Sequence, residues 1–197
     1  MIRKNHWVYT EDGQMLIAPC LPKVVIEKLK EGVITPTYAS EGDSGMDVYA
    51  TDNLVILPEG IATMGLGFKL GIPKHPLHDF GYRWELQVRP RSGISAATRL
   101  TVILGSVDNF YRGELGVIIH NTNTLIAGTC GFYHPLNLKN EPIWESDAEV
   151  PVGAYLIRKG ERIAQVVFNE VIRPLELVEG KVDETDRGSK GFGSSGI

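Results

Sequence analysis

The sequence predicts an all-β fold of the sandwich or jelly-roll kind. Its apolar runs are short and rich in Val and Ile, they are bounded by Gly, Pro or Asp, and none holds a helical period over the roughly 11–18 residues of an amphipathic helix. Taken in order, the predicted strands are Val24–Leu29, Met46–Ala50, Leu54–Leu57, Ile61–Ile72, Trp84–Val88, Thr101–Leu104, Leu115–His120, Ala154–Ile157 and Arg162–Val171. Such β-branched runs suit a pleated, half-buried surface, and their spacing is that of two packed sheets. The one helical piece is short, Ile94–Arg99, entered through Gly93.

Three segments fall outside this rhythm. Residues 1–22 mix aromatic, polar and Pro residues without period and read as an N-terminal extension packed on the surface. Residues 23–186 form the core domain, interrupted at 122–153 by an insertion. There Pro135, Pro142 and Pro151 limit helix, while Leu125, Ile126, Phe132, Tyr133, Leu136, Ile143 and Trp144 demand burial, so a compact excursion is expected, packed on the barrel or presented to a partner. Residues 187–197, RGSKGFGSSGI, are Gly/Ser-rich and read as a tail that orders only on something else. No internal repeat is present.

Composition narrows the function classes. At 197 residues the chain suits one domain with room for an insertion. With 43% hydrophobic and 22% charged residues it should fold in water. The longest run free of Lys, Arg, Asp and Glu, Leu115–Leu138, carries Asn121, Asn123, His134 and Pro135, which a hydrocarbon core would reject, so no membrane span is expected. Glu11 and Asp12 arrive before any signal-type apolar run, so a cytoplasmic location is expected. A net charge of −4 argues against a surface for polymeric nucleic acid. Cys20 and Cys130 and the five histidines lack metal-ligand spacing, so neither a disulfide nor a zinc site is expected.

Chemistry concentrates at three places. Gly105–Gly116 (GSVDNFYRGELG) reads as a hairpin tip with Asp108, Tyr111, Arg112 and Glu114. Its shoulder glycines let a planar ligand approach the backbone, although a decorated turn has the same composition. Arg89–Gly93 (RPRSG) leads into the short helix, where Ser92 and Gly93 offer free N–H groups to a phosphate beside Arg91, or else simply cap it. The tail supplies backbone donors, hydroxyls, Arg187, Lys190 and a ring, Phe192, in neither Rossmann nor P-loop spacing.

In order and residue type these segments resemble the motifs of the trimeric dUTPase family. Asp43–Ala50 (DSGMDVYA) is similar to the first, Arg91–Ser95 (RSGIS) to the second, Gly105–Gly116 to the third, Gly160–Val166 (GERIAQV) to the fourth and Arg187–Gly196 (RGSKGFGSSG) to the fifth. The resemblance implies a jelly-roll homotrimer with active sites shared among subunits, the tail closing over a neighbour's site. It implies hydrolysis of dUTP to dUMP and pyrophosphate, with Asp108 activating the water that attacks the α-phosphate. Tyr111 would pack on the deoxyribose, and Gly105, Val107 and Gly116 would line a slot that reads uracil through backbone atoms. Arg91, Ser92 and Gly93 would bind the middle of the triphosphate and Gln165 an α-phosphate oxygen. Arg187 with Ser194 and Ser195 would hold the γ-phosphate, Gly193 would join them in binding the substrate, and Phe192 would stack on uracil. Magnesium would bridge the three phosphates and be held mainly through waters, with Asp47 in the outer shell.

Two departures from the family pattern are visible. Thirty-three residues separate Asn121 from Tyr155 where the family has a short connection, and Ser106 and Phe110 stand where an aliphatic and a polar or acidic residue are commoner. Rival readings are a dCTP deaminase-like enzyme, whose relatives lack this tail and the Asp-x-x-Tyr-Arg-Gly pattern, and a nucleotide-gated regulator that contacts a protein partner through 122–153.

Overall fold

The computed structural model describes residues 7–9, 15–17, 22–125, 132–174, 176–185 and 188–189. The fold is all-β and its strand pairs are antiparallel. The strands among the described residues are β1 (Trp7–Tyr9), β2 (Met15–Ile17), β3 (Val25–Lys28), β4 (Met46–Tyr49), β5 (Leu54–Ile56), β6 (Ile61–Gly65), β7 (Phe68–Gly71), β8 (Tyr82–Arg89), β9 (Leu100–Val102), β10 (Gly105–Asp108), β11 (Gly116–Asn121), β12 (Phe132–Tyr133), β13 (Val150–Pro151), β14 (Tyr155–Ile157) and β15 (Arg162–Ile172). One helix, α1 (Ser92–Ala97), and one 3-10 turn, His78–Phe80, complete the described elements.

Two sheets position the site. The larger runs β10-β8-β15-β4 and the smaller β6-β11-β9, with β3-β7 and β14-β5 pairs beside them. Leu86, Val88 and Val166 from the first and Met64, Val102, Val117 and Ile119 from the second belong to one buried cluster, so alternate residues of both sheets face a common core. The opposite face of the larger sheet is polar, because strand alternation puts Asp108, Glu85 and Asn169 in one cross-strand row and Arg89, Gln165 and Asp47 in another.

Several expectations are revised. The single strand expected over Ile61–Ile72 is two, β6 and β7, because Gly67 sits at φ +71 and turns the chain from the β11 pairing to the β3 pairing. A Cβ at Gly67 would lie 2.5 Å from Val33 Cγ2, so only glycine passes there. The helix starts at Ser92, two residues before the predicted Ile94. It ends at Thr98, whose hydroxyl bonds back to Ile94 O and whose backbone is extended. Residues 1–22 hold a two-stranded hairpin, Trp7 opposite Ile17, that the aperiodic reading passed over.

The 122–153 excursion is rooted by fully buried Asn121, whose Nδ2 donates to Ile56 O (3.0 Å) and Gly153 O (2.8 Å), so both ends are pinned to the barrel. β12 pairs with β13, Ile143 and Val150 are buried, and the Tyr155 hydroxyl donates to Asn140 Oδ1 at 2.7 Å. Trp144, in contrast, is 73% exposed. No helix among the described residues is long and apolar enough to cross a membrane. Cys20 and Cys130 lie outside the described residues.

Candidate active site

The predicted residues gather in two separate clusters. In the first, Asp47 is buried on β4, and its backbone N–H donates to Thr37 O (2.9 Å). Its carboxylate takes Arg91 Nε on Oδ1 (2.7 Å) and Arg162 Nη1 on Oδ2 (3.1 Å). Charge-assisted bonds at these distances fix side chains firmly. Arg91 is thereby oriented, with α1 beginning at the next residue and Ser92 and Gly93 exposed to solvent. Gln165, opposite Asp47 across β15 and β4, donates through Nε2 to Pro90 O (2.9 Å), which ties it to the same turn. Gly45 makes room for it, since any side chain there would strike the Gln165 amide. Arg162, quoted only as part of GERIAQV, belongs to this cluster, and the motif was the signal that could have found it.

Nearby, Asp43 takes no part in the cluster. Its carboxylate accepts from Ser40 Oγ (2.7 Å) and Ser40 N (2.9 Å), and the Ser40 hydroxyl holds its carboxyl below the usual range. It shapes the loop before β4.

The second cluster is the Gly105–Gly116 segment, and here the hairpin expectation is corrected. β9 and β11 do pair at the base, Val102 opposite Ile119, and Ile103 N–H donates to Ile118 O (2.9 Å). Beyond that the arms part. β10 crosses to β8, Gly105 opposite Val88 and Asp108 opposite Glu85, while Gly116 and Val117 pair with Gly65 and Met64 of β6. The divergence begins at the two shoulder glycines. A Cβ on Gly105 would meet nothing within 4 Å, so open space adjoins that backbone. Val107 is half-buried toward the core.

Asp108 ends β10 with an exposed carboxylate and lines a cleft of about 350 Å³ together with Arg83, Trp84, Glu85, Asn109, Phe110, Val171 and Arg173. Asn109, not singled out from the sequence, is only 5% exposed, and neither polar atom of its amide has a partner among the described residues. Tyr111 is half-exposed, its N–H donating to Asp108 O (3.0 Å) and its hydroxyl to Glu114 O (3.0 Å). Glu114 Oε1 accepts from Gly67 N (2.7 Å), anchoring the turn to the glycine kink between β6 and β7. Of the two departures, Ser106 lies exposed on the polar face and Phe110 is 62% exposed, 6.1 Å from the His78 ring.

The clusters do not meet within one chain. The Asp108 row and the Asp47 row are four residues apart along β8, and three strand spacings separate β10 from β4, which puts the two Cα atoms about 20 Å apart. That is many times the spacing of adjacent phosphates. Arg187, Phe192, Gly193, Ser194 and Ser195 lie outside the described residues.

Among the described residues no group of three or more His, Cys, Asp or Glu could cage a metal. Two guanidinium groups around the single Asp47 carboxylate leave the cluster net positive, which suits an anion better than a bare cation. Each oxygen keeps a lone pair for an outer-shell water, the arrangement that suits Mg²⁺ carried in on phosphates.

The chain is an antiparallel jelly roll with a carboxylate-oriented arginine beside a short helix and an exposed carboxylate at the mouth of parted, glycine-shouldered strands, groups that can hold a phosphate and activate a water. The comparisons agree. The dUTPase family model matches residues 154–196. The deoxyuridine 5'-triphosphate nucleotidohydrolase of Helicobacter pylori strain J99 is 33% identical over 177 residues, spanning 89% of this chain and 97% of that protein. The Staphylococcus bacteriophage 80alpha dUTPase with dUpNHpp superposes with a TM-score of 0.77 at 31% identity, covering 89% of this chain and 99% of the other. A mutant dUTPase from phage phi11 of S. aureus, described for its coordination of a structural Mg(II) ion, gives 0.72 at 26% identity over 83% and 99%. The chain belongs to the dUTPase family.

Proposed function

We propose that this chain hydrolyses dUTP to dUMP and pyrophosphate, in sites each completed by more than one copy of a homotrimer. The observation that carries this is the exposed Asp108 carboxylate beside strands that part at Gly105 and Gly116. Asp108 takes the proton of the water that attacks the α-phosphate, a role in which a positioned base contributes roughly 10²–10⁴-fold. The backbone between Gly105, Val107 and Gly116 reads the uracil edge, rejecting thymine by its methyl and cytosine by mismatched donors and acceptors. Tyr111 packs on the deoxyribose.

Arg91, Ser92 and Gly93 hold the middle of the triphosphate and Gln165 an α-phosphate oxygen, from a neighbouring copy, because the 20 Å span within one chain leaves them out of reach of Asp108. The tail residues Arg187, Gly193, Ser194 and Ser195 close on the γ-phosphate and Phe192 stacks on the base. Mg²⁺, when bound with the nucleotide, neutralises phosphate charge, with Asp47 accepting from its water shell. The substrate is the free nucleotide pool of the cytoplasm, and the net charge of −4 fits that use.

A second function is favoured by Trp144, which is 73% exposed on an insertion to which the proposed chemistry assigns no residue, with His134 packed edge-on at 5.2 Å. We read this face as a protein-contact surface. Phage dUTPases similar to this chain are described as controlling transfer of virulence genes by a G protein-like mechanism.

Pyrophosphate release measured across the eight common nucleoside triphosphates tests the main assignment. Release from dUTP alone is expected. Deamination of dCTP would replace it with the rival enzyme.

A further inference from the structure

Arg112 was left without a role by the motif reading, and its contacts are unusual for an exposed arginine. The guanidinium faces three backbone carbonyls. Nη1 donates to Asn109 O (2.8 Å) and Tyr111 O (2.7 Å), and Nη2 donates to Ile72 O (3.1 Å). Two of these acceptors belong to the turn that follows Asp108, and the third belongs to a different element. Ile72 is 2% exposed, at the point where the chain leaves β7.

The segment that begins there is itself held. His75 is buried, its Nε2 lies 2.6 Å from Glu170 Oε1 on β15, and its Nδ1 accepts from Leu77 N (3.0 Å), with the Tyr82 and Trp84 rings packed against it. Arg112 therefore ties the turn to a fixed point and not to another mobile loop.

Tyr111 needs such a tie. Nearly half exposed, it is placed mainly by its own turn: its N–H on Asp108 O, its hydroxyl on Glu114 O, and its ring so close over Gly113 that a side chain there would collide with it. Its carbonyl is the remaining handle, and Arg112 holds it. A planar fork serving carbonyls on two segments fixes direction as well as distance, which a lysine ammonium on a flexible stem does not.

We propose that Arg112 is a specificity-positioning residue, which sets the plane of the Tyr111 ring and through it the rejection of the ribose 2′-hydroxyl. The proposal rests on the assignment of Tyr111 to the sugar. With both Nη1 donors and one Nη2 donor engaged by carbonyls, the guanidinium is held against the turn, and Arg112 acts through Tyr111.

The test is the ratio of kcat/KM for dUTP to kcat/KM for UTP in the wild-type trimer, Arg112→Ala and Arg112→Lys, alongside thermal melting and sizing. A merely structural arginine would lower both activities together and leave the ratio alone. The expected result is a ratio at least tenfold lower in Arg112→Ala, with an intermediate value in Arg112→Lys, in trimers that still melt cooperatively. A ratio within twofold of wild type in folded Arg112→Ala would overturn the proposal, and Arg112→Lys decides in the same way if the alanine variant does not fold. A wild-type trimer that turns over dUTP no faster than UTP would overturn the functional assignment as well as the proposal.

Discussion

Arg91 and Asp47, 44 residues apart in sequence, meet through a 2.7 Å bond from Nε to Oδ1 that joins strand β4 to the turn before α1. Arg162 completes the triad from β15 at 3.1 Å. Six residues are too few for α1 to present a strong dipole, so phosphate attraction at this corner depends on the guanidinium that Asp47 aims.

Asp47→Asn should therefore weaken nucleotide binding and lower stability together. Losing one partner of a fully buried ion pair costs roughly 3–5 kcal/mol. Arg91 and Arg162 keep 25% and 49% of their side-chain surface exposed, which reduces the expected loss to about 1–2 kcal/mol. Melting curves and a dUTP-analogue titration check this. An unchanged affinity would mean that Arg91 finds its place without the carboxylate.

Asp108→Asn tests the base. The Asp108 side chain is exposed at the end of β10, so the amide should fold as the wild type does. Turnover should fall by about 10²–10⁴-fold while analogue binding holds within a few fold. Near-normal turnover in single-turnover assays would remove Asp108 from the mechanism.

Much of this was legible in the sequence, and the misses have physical causes. Short β-branched runs bounded by Gly, Pro or Asp located β4, β8, β11, β14 and β15, because such side chains suit a pleated, half-buried surface. The split at Gly67 was missed because residues on both sides stay apolar while only the sheet they pair with changes. Asp12-Gly13 between two apolar triplets was the available hairpin signal for β1 and β2. The crossing of β10 to β8 was out of reach, since it is a long-range pairing that leaves no local periodicity. Site residues were legible as types in order. Their division into two clusters, and the placement of Arg162, Asn109 and Arg112 beside them, follow from strand register and side-chain direction.

That division predicts complementation between two dead proteins. Asp108→Asn and Arg91→Ala homotrimers should each be inactive. When subunits are exchanged at equal ratio, a site that draws its base from one subunit and its arginine from another is intact about one time in four, so about a quarter of wild-type activity should return. No recovery after proven exchange would place both residues in a site built by a single chain, against the 20 Å span.

The insertion supplies the last prediction. Replacing residues 122–153 by a short Gly-Asn turn should preserve dUTP hydrolysis within roughly tenfold, because loop length changes closure entropy only slowly. The structure adds a cost that length alone does not predict. Asn121 Nδ2 would lose Gly153 O, the Tyr155 hydroxyl would lose Asn140, and the buried side chains of Ile143 and Val150 would be removed from the barrel surface. A replacement that keeps Gly153 retains the first of these bonds. Tyr155 still receives the Arg99 N–H at 3.0 Å, which leaves its oxygen partnered. The melting temperature should thus fall in the full replacement and recover in part when Gly153 is kept, with turnover nearly the same in both. Trp144→Ala, which removes a side chain 73% exposed, should change neither. Loss of turnover in a folded, trimeric replacement protein would show that the excursion reaches a neighbour's active site, and the contact surface read from Trp144 would then belong to catalysis.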